Sequence, residues 1–285
     1  MLRPLLCELA TRWVCSNGMA CCRTARNVRL LLRYAEPGYQ MPDWNISPQV
    51  LDLPQDEVHV WQASLCAEEP VIQKFLPLLS PDEKARAERF YFARDRQHFI
   101  VARGILRTLL GRYLNLAPER ISFVYNPYGK PALDPSVHRA NLHFNLAHSH
   151  QLALYAFSYV GQLGIDVEYM RSDMDYEQLA SHAFSAYENT VFHSLSAELR
   201  QKAFFDCWTR KEAYIKARGK GLSIPLDQFD VSLRPGEPAV VLACRQEAQA
   251  SSPCTLRELD PASTYASALA VEGAGWHLRC WLWQG

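Results

Sequence analysis

Asp166 and Glu168, separated by one valine in GIDVE (164–168), end an uncharged run that begins at Gln151. On a β-strand, side chains alternate between faces, so the two acids point the same way. Like charges on one face repel unless a cation lies between them. Two readings are open here: both acids are solvated at a strand end, or they share a metal ion. A second stretch, FFDCWTRKEAYIKARGKGL (204–222), puts Trp208, Glu212 and Lys216 at positions i, i+4 and i+8 of a helix, along one stripe. By themselves Glu212 and Lys216 read as a solvated ion pair worth about 0.2–0.5 kcal/mol. Joined to Asp166 and Glu168, they make three oxygen donors beside an ammonium. That set suits Mg²⁺, which prefers octahedral oxygen and usually keeps a substrate phosphate in its shell.

Other chemistries find less support. His143, His148 and His150 have the spacing H-x₄-H-x-H, and on a strand the last two share a face. A zinc site is conceivable there, but the helical H-E-x-x-H arrangement is absent. No G-x-x-x-x-G-K-[ST], G-x-G-x-x-G or G-x-S-x-G occurs, which removes the common nucleotide-loop and hydrolase readings. Glu188 in SAYEN reads as an exposed acid at a helix start.

The elements that must position these residues follow from periodicity and capping. Val58 to Leu65 alternates as a first strand. In LSPDEKARAERF, Ser80 is a good N-cap, Pro81 fits the first helical position and Glu83 completes a capping box. A longer helix spans about 95–114, with Arg103 and Arg107 as its basic members. YNPYGKPAL (125–133) is turn-rich. Leu152 to Tyr159 reads as one arm of a buried hairpin that turns near Gly161-Gln162, with GIDVE on the other arm. The helix over about 201–218 ends at Gly219, a natural left-handed terminator. The order β-α-α-β-β-α-α-β predicts an α/β (α+β) fold of two pseudo-symmetric halves, 56–160 and 161–285. GIDVE falls near their join, where the active site is expected, and 1–55 form an N-terminal extension.

The totals set bounds. The 285 residues are 48% hydrophobic and 21% charged, with thirty Lys+Arg against thirty Asp+Glu. No overall field favours nucleic acid or an anionic membrane, so an anionic ligand needs a local basic patch. The longest apolar stretch, LALYAFSYVGQLGIDV, is too short to span a bilayer and is broken by Gly161 and Gln162. Nine scattered cysteines without C-x-x-C predict reduced thiols and a cytoplasmic protein. Between Arg3 and Arg33, six arginines face one acid, Glu8. That leader reads as an organellar transit peptide or as a start codon chosen upstream of Met41, and the second is the expectation.

GIDVE, WTRKEAYIKARGKGL (208–222), HFNLAHS (143–149), YGKP (128–131) and the SP-initiated helix (80–90) also carry a resemblance. In this order they resemble the 4′-phosphopantetheinyl transferases of the larger, pseudodimeric, surfactin-synthetase-activating type, over roughly residues 56–270. The resemblance implies transfer of the phosphopantetheine arm of coenzyme A to a serine of an apo acyl or peptidyl carrier protein, leaving 3′,5′-ADP. It implies Mg²⁺ on Asp166, Glu168 and Glu212, and Lys216 on the pyrophosphate or the transferring phosphate. His148, with Ser149 nearby, would hold a coenzyme A phosphate, and Arg86 and Lys130 would clasp the 3′-phosphate. Glu83 stands where the family has a lysine, with Lys84 one place out of register. Trp208 and Lys211 would pack and support. The proton of the incoming serine would go to Glu212 or Glu188. A pseudodimer implies a monomer. Carrier docking is expected on 170–203, through Phe184, Tyr187, Val191 and Phe192. Two rivals remain from other classes: a silent coenzyme A or carrier-binding module, and a metal-dependent phosphohydrolase.

Overall fold

The computed structural model describes residues 42–139, 141–245 and 254–285. The Arg-rich leader, its cysteines Cys7, Cys15, Cys21 and Cys22, and the question of a start at Met41 lie outside the described residues. After a short strand β1 (Trp44–Ile46), the chain runs through one plan twice. The first pass is strand β2 (Glu57–Ser64), short helices α1 (Glu69–Phe75) and α2 (Pro81–Ala87), and long helix α3 (Ala93–Leu114). It continues with a small hairpin of β3 (Phe123–Tyr125) and β4 (Pro131–Leu133), then strands β5 (His143–Ser149) and β6 (Leu152–Ser158). The second pass is strand β7 (Leu163–Tyr169), short helices α4 (Tyr176–Ala183) and α5 (Ala186–Ser194), and long helix α6 (Ala197–Arg218). A small pair, β8 (Phe229–Val231) and β9 (Val241–Cys244), is followed by β10 (Cys254–Glu258) and β11 (Tyr265–Glu272). A last strand, β12 (His277–Leu282), has no counterpart in the first pass.

The sheets repeat the same order. In the first, β2, β6 and β5 lie side by side; in the second, β7, β11 and β10 do. β12 returns to the first sheet, where it pairs in parallel with both β1 and β2. Local chemistry accounts for the long helices. Asn115 and Gly219 end α3 and α6 in the left-handed region, at φ 52° and 65°. At the start of α2, Glu83 accepts the Ser80 backbone N–H at 3.0 Å, the return half of the expected capping box.

The expected hairpin is a correction. β6 does not pair with β7: its two edges are taken by β2 and β5, and all seven of its residues are buried. The tight turn lies one strand earlier, between β5 and β6, where His150 takes φ 52°. The Gly161-Gln162 bend instead carries the chain across to the second sheet, where β7 pairs antiparallel with β11. The two sheets meet where β5 and β7 run side by side, and side chains replace the backbone ladder there. Asn145 Oδ1 accepts the Ile165 N–H at 2.9 Å, and Ser149 Oγ accepts the Tyr169 N–H at 3.1 Å. Val58, Val60 and Leu154 pack against Ile165, Val167 and Leu269 to fill the space between the sheets. Separate cores lie under α3 and under α6.

Candidate active site

The face of β7 that carries Gly164, Asp166 and Glu168 looks at α6. Gly164 makes the close approach possible: a Cβ there would lie 2.2 Å from the Ala213 carbonyl oxygen and 2.7 Å from Lys216 Cβ. Opposite these three positions on β11 stand Ala270, Ala268 and Ala266, equally small. The helix therefore settles on the sheet and brings Glu212 and Lys216, one turn apart, over the two strand acids. Lys216 Nζ donates to Asp166 Oδ1 at 2.5 Å and to the Ile165 carbonyl at 3.3 Å. Glu168 Oε2 accepts from Ser149 Oγ at 2.7 Å. Asp166 Oδ2 is buried with no hydrogen-bond partner.

Electrostatics follow from this crowding. Desolvation raises Asp166, although Lys216 opposes it. Desolvation and then the Asp166 charge push Glu168 well above the usual carboxylate range, and Glu212 is pushed up to about 7, mainly by desolvation. Burial alone would depress Lys216; the charges of Asp166 and Glu212 outweigh it and hold the ammonium above its ordinary value. Glu168, Glu212 and Lys216 nevertheless remain partly open to solvent. They form a partly open floor where β7 and α6 meet.

Among the described residues, no three His, Cys, Asp or Glu side chains converge as a ready ligand set. The counter-charge among the acids is the Lys216 ammonium. An all-oxygen donor set that includes one buried, unpartnered carboxylate oxygen fits a hard divalent cation such as Mg²⁺. The three histidines do not form a zinc site: His143 contacts Gln162, and the His150 ring stacks on Tyr169 at 4.9 Å.

Basic groups lie around the same floor. His148 is exposed on β5; the surrounding protein, then Lys216, His98 and Arg86, hold its pKa well below the usual histidine value. Arg86 is exposed, with its guanidinium 5.5 Å over the Phe99 ring. Lys130 Nζ donates to the Leu163 carbonyl at 3.0 Å, and burial, partly offset by Glu272, lowers its pKa to about 8. Ser149 spends its hydroxyl on β7, donating to Glu168 and accepting from Tyr169.

Comparison with known proteins decides the family. The 4′-phosphopantetheinyl transferase superfamily matches over residues 162–270, and its N-terminal family over 61–159. The chain is 42% identical to the 4′-phosphopantetheinyl transferase HetI of Nostoc sp., over 84% of this chain and 97% of that protein. It is 30% identical to the 4′-phosphopantetheinyl transferase Sfp of Bacillus subtilis, over 66% of this chain and 81% of that one. The human L-aminoadipate-semialdehyde dehydrogenase-phosphopantetheinyl transferase is 30% identical over 55% of this chain and 53% of its own length. The chain belongs to the 4′-phosphopantetheinyl transferase family. It is of the pseudodimeric type, and the two matched regions coincide with the two passes of the fold.

In this phosphopantetheinyl transferase, several sequence expectations fall elsewhere. Glu188 is not an exposed helix-start acid but fully buried. Its capping box turns it inward, where Oε2 accepts the Ser185 N–H and the Lys211 ammonium, each at 2.8 Å, and Oε1 accepts the Val231 N–H at 2.8 Å. Lys211 is sealed beside it, donating to the Leu226 and Phe229 carbonyls at 2.6 and 2.7 Å. Glu188 is thus not brought together with Asp166, Glu168 and Glu212. Phe184 and Phe192 are core, not surface: both are buried, and Phe184 stacks on Phe204 at 5.5 Å. Tyr187 alone of the expected docking residues is well exposed, at 50%. Arg103 and Arg107 are consumed by Glu83, which each contacts with its Nε at 2.6 Å. Sequence reasoning missed Arg94, Asp95 and His98, which surround the His148 corner from the first turns of α3. The cluster RDRQH (94–98), where that helix begins, is the sequence signal for them.

Proposed function

We propose that this transferase moves the 4′-phosphopantetheine arm of coenzyme A onto a serine of an apo carrier protein, with Mg²⁺, and releases 3′,5′-ADP. The observation that carries this reading is the union of Asp166 and Glu168 on β7 with Glu212 and Lys216 on α6, including one buried carboxylate oxygen without a partner. Asp166, Glu168 and Glu212 would hold the cation, which when bound supplies charge neutralisation at the pyrophosphate. Lys216 adds a cation on the same floor, directed at the pyrophosphate or the transferring phosphate. Arg86 and Lys130 bind the 3′-phosphate, and His148 donates an N–H to a phosphate. An anion beside Lys130 would also offset the burial that lowers its pKa.

The serine Oγ forms its new bond to the phosphorus that carries pantetheine. The bond from that phosphorus to the bridging oxygen breaks, and its electron pair leaves on 3′,5′-ADP. The serine proton passes to Glu212, directly or through water, because Glu188 has its oxygens committed under α5. Most of the rate enhancement then comes from positioning and fixed charge. The free thiols Cys66, Cys207, Cys244 and Cys280 support a reducing, cytoplasmic setting, and the pseudodimer a monomer.

Mass spectrometry of an apo carrier protein incubated with the full chain, coenzyme A and Mg²⁺ tests the reading. A gain of about 340 Da, the phosphopantetheine arm, is expected. An unmodified carrier with free phosphopantetheine in solution would make the protein a phosphohydrolase; an unmodified carrier with intact coenzyme A would make it a binding module.

A further inference from the structure

One side chain pins the YNPYGKP turn (125–131). Asn126 Oδ1 accepts the backbone N–H groups of Tyr128 and Lys130, both at 2.9 Å. The main chain closes the same turn, from Gly129 N–H to the Asn126 carbonyl at 2.9 Å and from Asn126 N–H to the Lys130 carbonyl at 3.1 Å. Any residue supplies the main-chain pair, and an aspartate supplies the two side-chain acceptors equally well. A fifth bond needs the amide. Asn126 Nδ2 donates at 2.6 Å to the carbonyl of Gly219, 93 positions later, where α6 ends. The orientation of the amide is forced, since two N–H donors face one end and a carbonyl faces the other.

This bond joins the two halves beside the site. On one side of it, Lys130 reaches the Leu163 carbonyl, the first residue of the strand that carries Asp166 and Glu168. On the other, Lys216 stands one turn back from Gly219 and holds Asp166. The stem of Lys130 also lies against Gly219, its Cδ 3.7 Å from where a Cβ would project. Two cations from different halves are therefore held in one frame, and the Asn126 amide is the direct tie between the loop that carries one and the helix that carries the other.

We infer that Asn126 is a positioning residue: its amide couples Lys130 to the end of α6, so that Lys130 and Lys216 meet the phosphates of coenzyme A as one set. The inference rests on the proposed coenzyme A site, but it is read from coenzyme A affinity, whereas that reading stands or falls on the mass of the carrier.

The test uses Asn126→Asp in the full chain, which keeps both turn acceptors and turns a carboxylate oxygen toward the Gly219 carbonyl. With Mg²⁺ present, calorimetry should show the Kd for coenzyme A rising about 10-fold, as for a lost inter-element hydrogen bond that leaves an acceptor unpaired. The KM for coenzyme A should follow, while kcat and the carrier KM stay within about 2-fold. Asn126→Ser, which retains one turn acceptor without a charge, should lose affinity in the same direction. In a Lys130→Ala background, Asn126→Asp should add less than about 2-fold, because residues that act through one another are not additive. An unchanged Kd in the folded Asp and Ser variants would overturn the inference. So would an equal penalty with and without Lys130, since the amide would then serve the turn alone.

Discussion

β2 and β7 hold the same place in the two halves, each at the side of the second strand of its hairpin, β6 or β11. Their inward faces differ. Toward α3, β2 presents His59, Trp61 and Ala63, flanked by Tyr155 and Phe157 of β6, and His59 bonds the Tyr113 hydroxyl of that helix. Toward α6, β7 presents Gly164, Asp166 and Glu168, flanked by three alanines of β11. The bulky face fills with apolar contacts and keeps most of the α3 backbone off the sheet, whereas the small face lets α6 lie directly on its two strands. One frame thus gives a packed core in the first half. In the second it gives a shallow floor on which short carboxylates reach groups carried by a helix.

The capping-box glutamates repeat the contrast. Glu83 and Glu188 are both buried and both close the start of a helix. Glu83 faces two guanidinium groups. Burial would raise it, but Arg103 and Arg107 win and its pKa falls below 4.5. Glu188 faces one ammonium; burial wins over Lys211 and its pKa rises above 4.5.

Removing Glu83 tests the first half most severely. Glu83→Ala leaves Arg103 and Arg107 buried without a counter-charge and should destabilise the protein by about 3–5 kcal/mol. Glu188→Ala should cost less, since Lys211 keeps two carbonyls and the Phe229 ring at 4.2 Å. Chemical denaturation of the two variants checks the order, and the reverse order would undo the comparison.

On the second half the larger effect is on activity. Asp166→Asn should lower kcat on the order of 10²–10³-fold, as for loss of one preorganised charge. The denaturation midpoint should hardly move, because a desolvated, mutually repelling charge has been removed. Near-normal turnover at millimolar Mg²⁺ would show that the β7 acids do not form the site. Gly164→Ala tests the close approach itself. A methyl group 2.2 Å from the Ala213 carbonyl must push α6 away, at about 1–3 kcal/mol, and activity should fall with it. An active, fully stable alanine variant would mean that the helix has slack.

The smallest effects are opposite pH slopes. For Glu83, whose folded pKa is lowered, the contribution to stability is present above 4.5 and is lost as pH falls through the folded value. For Glu188, whose folded pKa is raised, the contribution is present below 4.5 and is lost as pH rises through the folded value. The penalty of Glu83→Gln relative to the parent should therefore grow as pH rises through this range, and that of Glu188→Gln should shrink. Parallel slopes in denaturation series that run from well below pH 4.5 to well above it, at about half-unit steps, would contradict the electrostatic distinction.

What could be read from the sequence was mostly local. The Ser80–Glu83 box, the left-handed stop at Gly219 and the shared face of Asp166 and Glu168 follow from spacing, and each has its counterpart in the structure. Partners far along the chain were harder. Gly161-Gln162 bends the chain equally well for a hairpin or a crossing, and only the two occupied edges of β6 decide between them. Phe184 and Phe192 read equally as a docking surface or as core, and Phe204, stacked on Phe184, belongs to the core that buries them. Glu188 shows the same ambiguity, because an N3 acid can face water or the core, and Lys211 with the Val231 N–H draws it in.

The returning strand β12 bears on how the protein is made. Arg279 on β12 reaches Glu57 on β2 across 222 positions, and β1 joins the first sheet only through β12. A ribosome that has already delivered the whole first half leaves one edge of β2 without its partner until β12 emerges. At about 5–20 residues per second that interval is of the order of ten seconds. During it, an unpaired strand edge is open to other chains. The two halves repeat one plan, but the first sheet is completed only after the second half has been synthesised. Cutting the chain at the join would leave each piece with an unfinished edge.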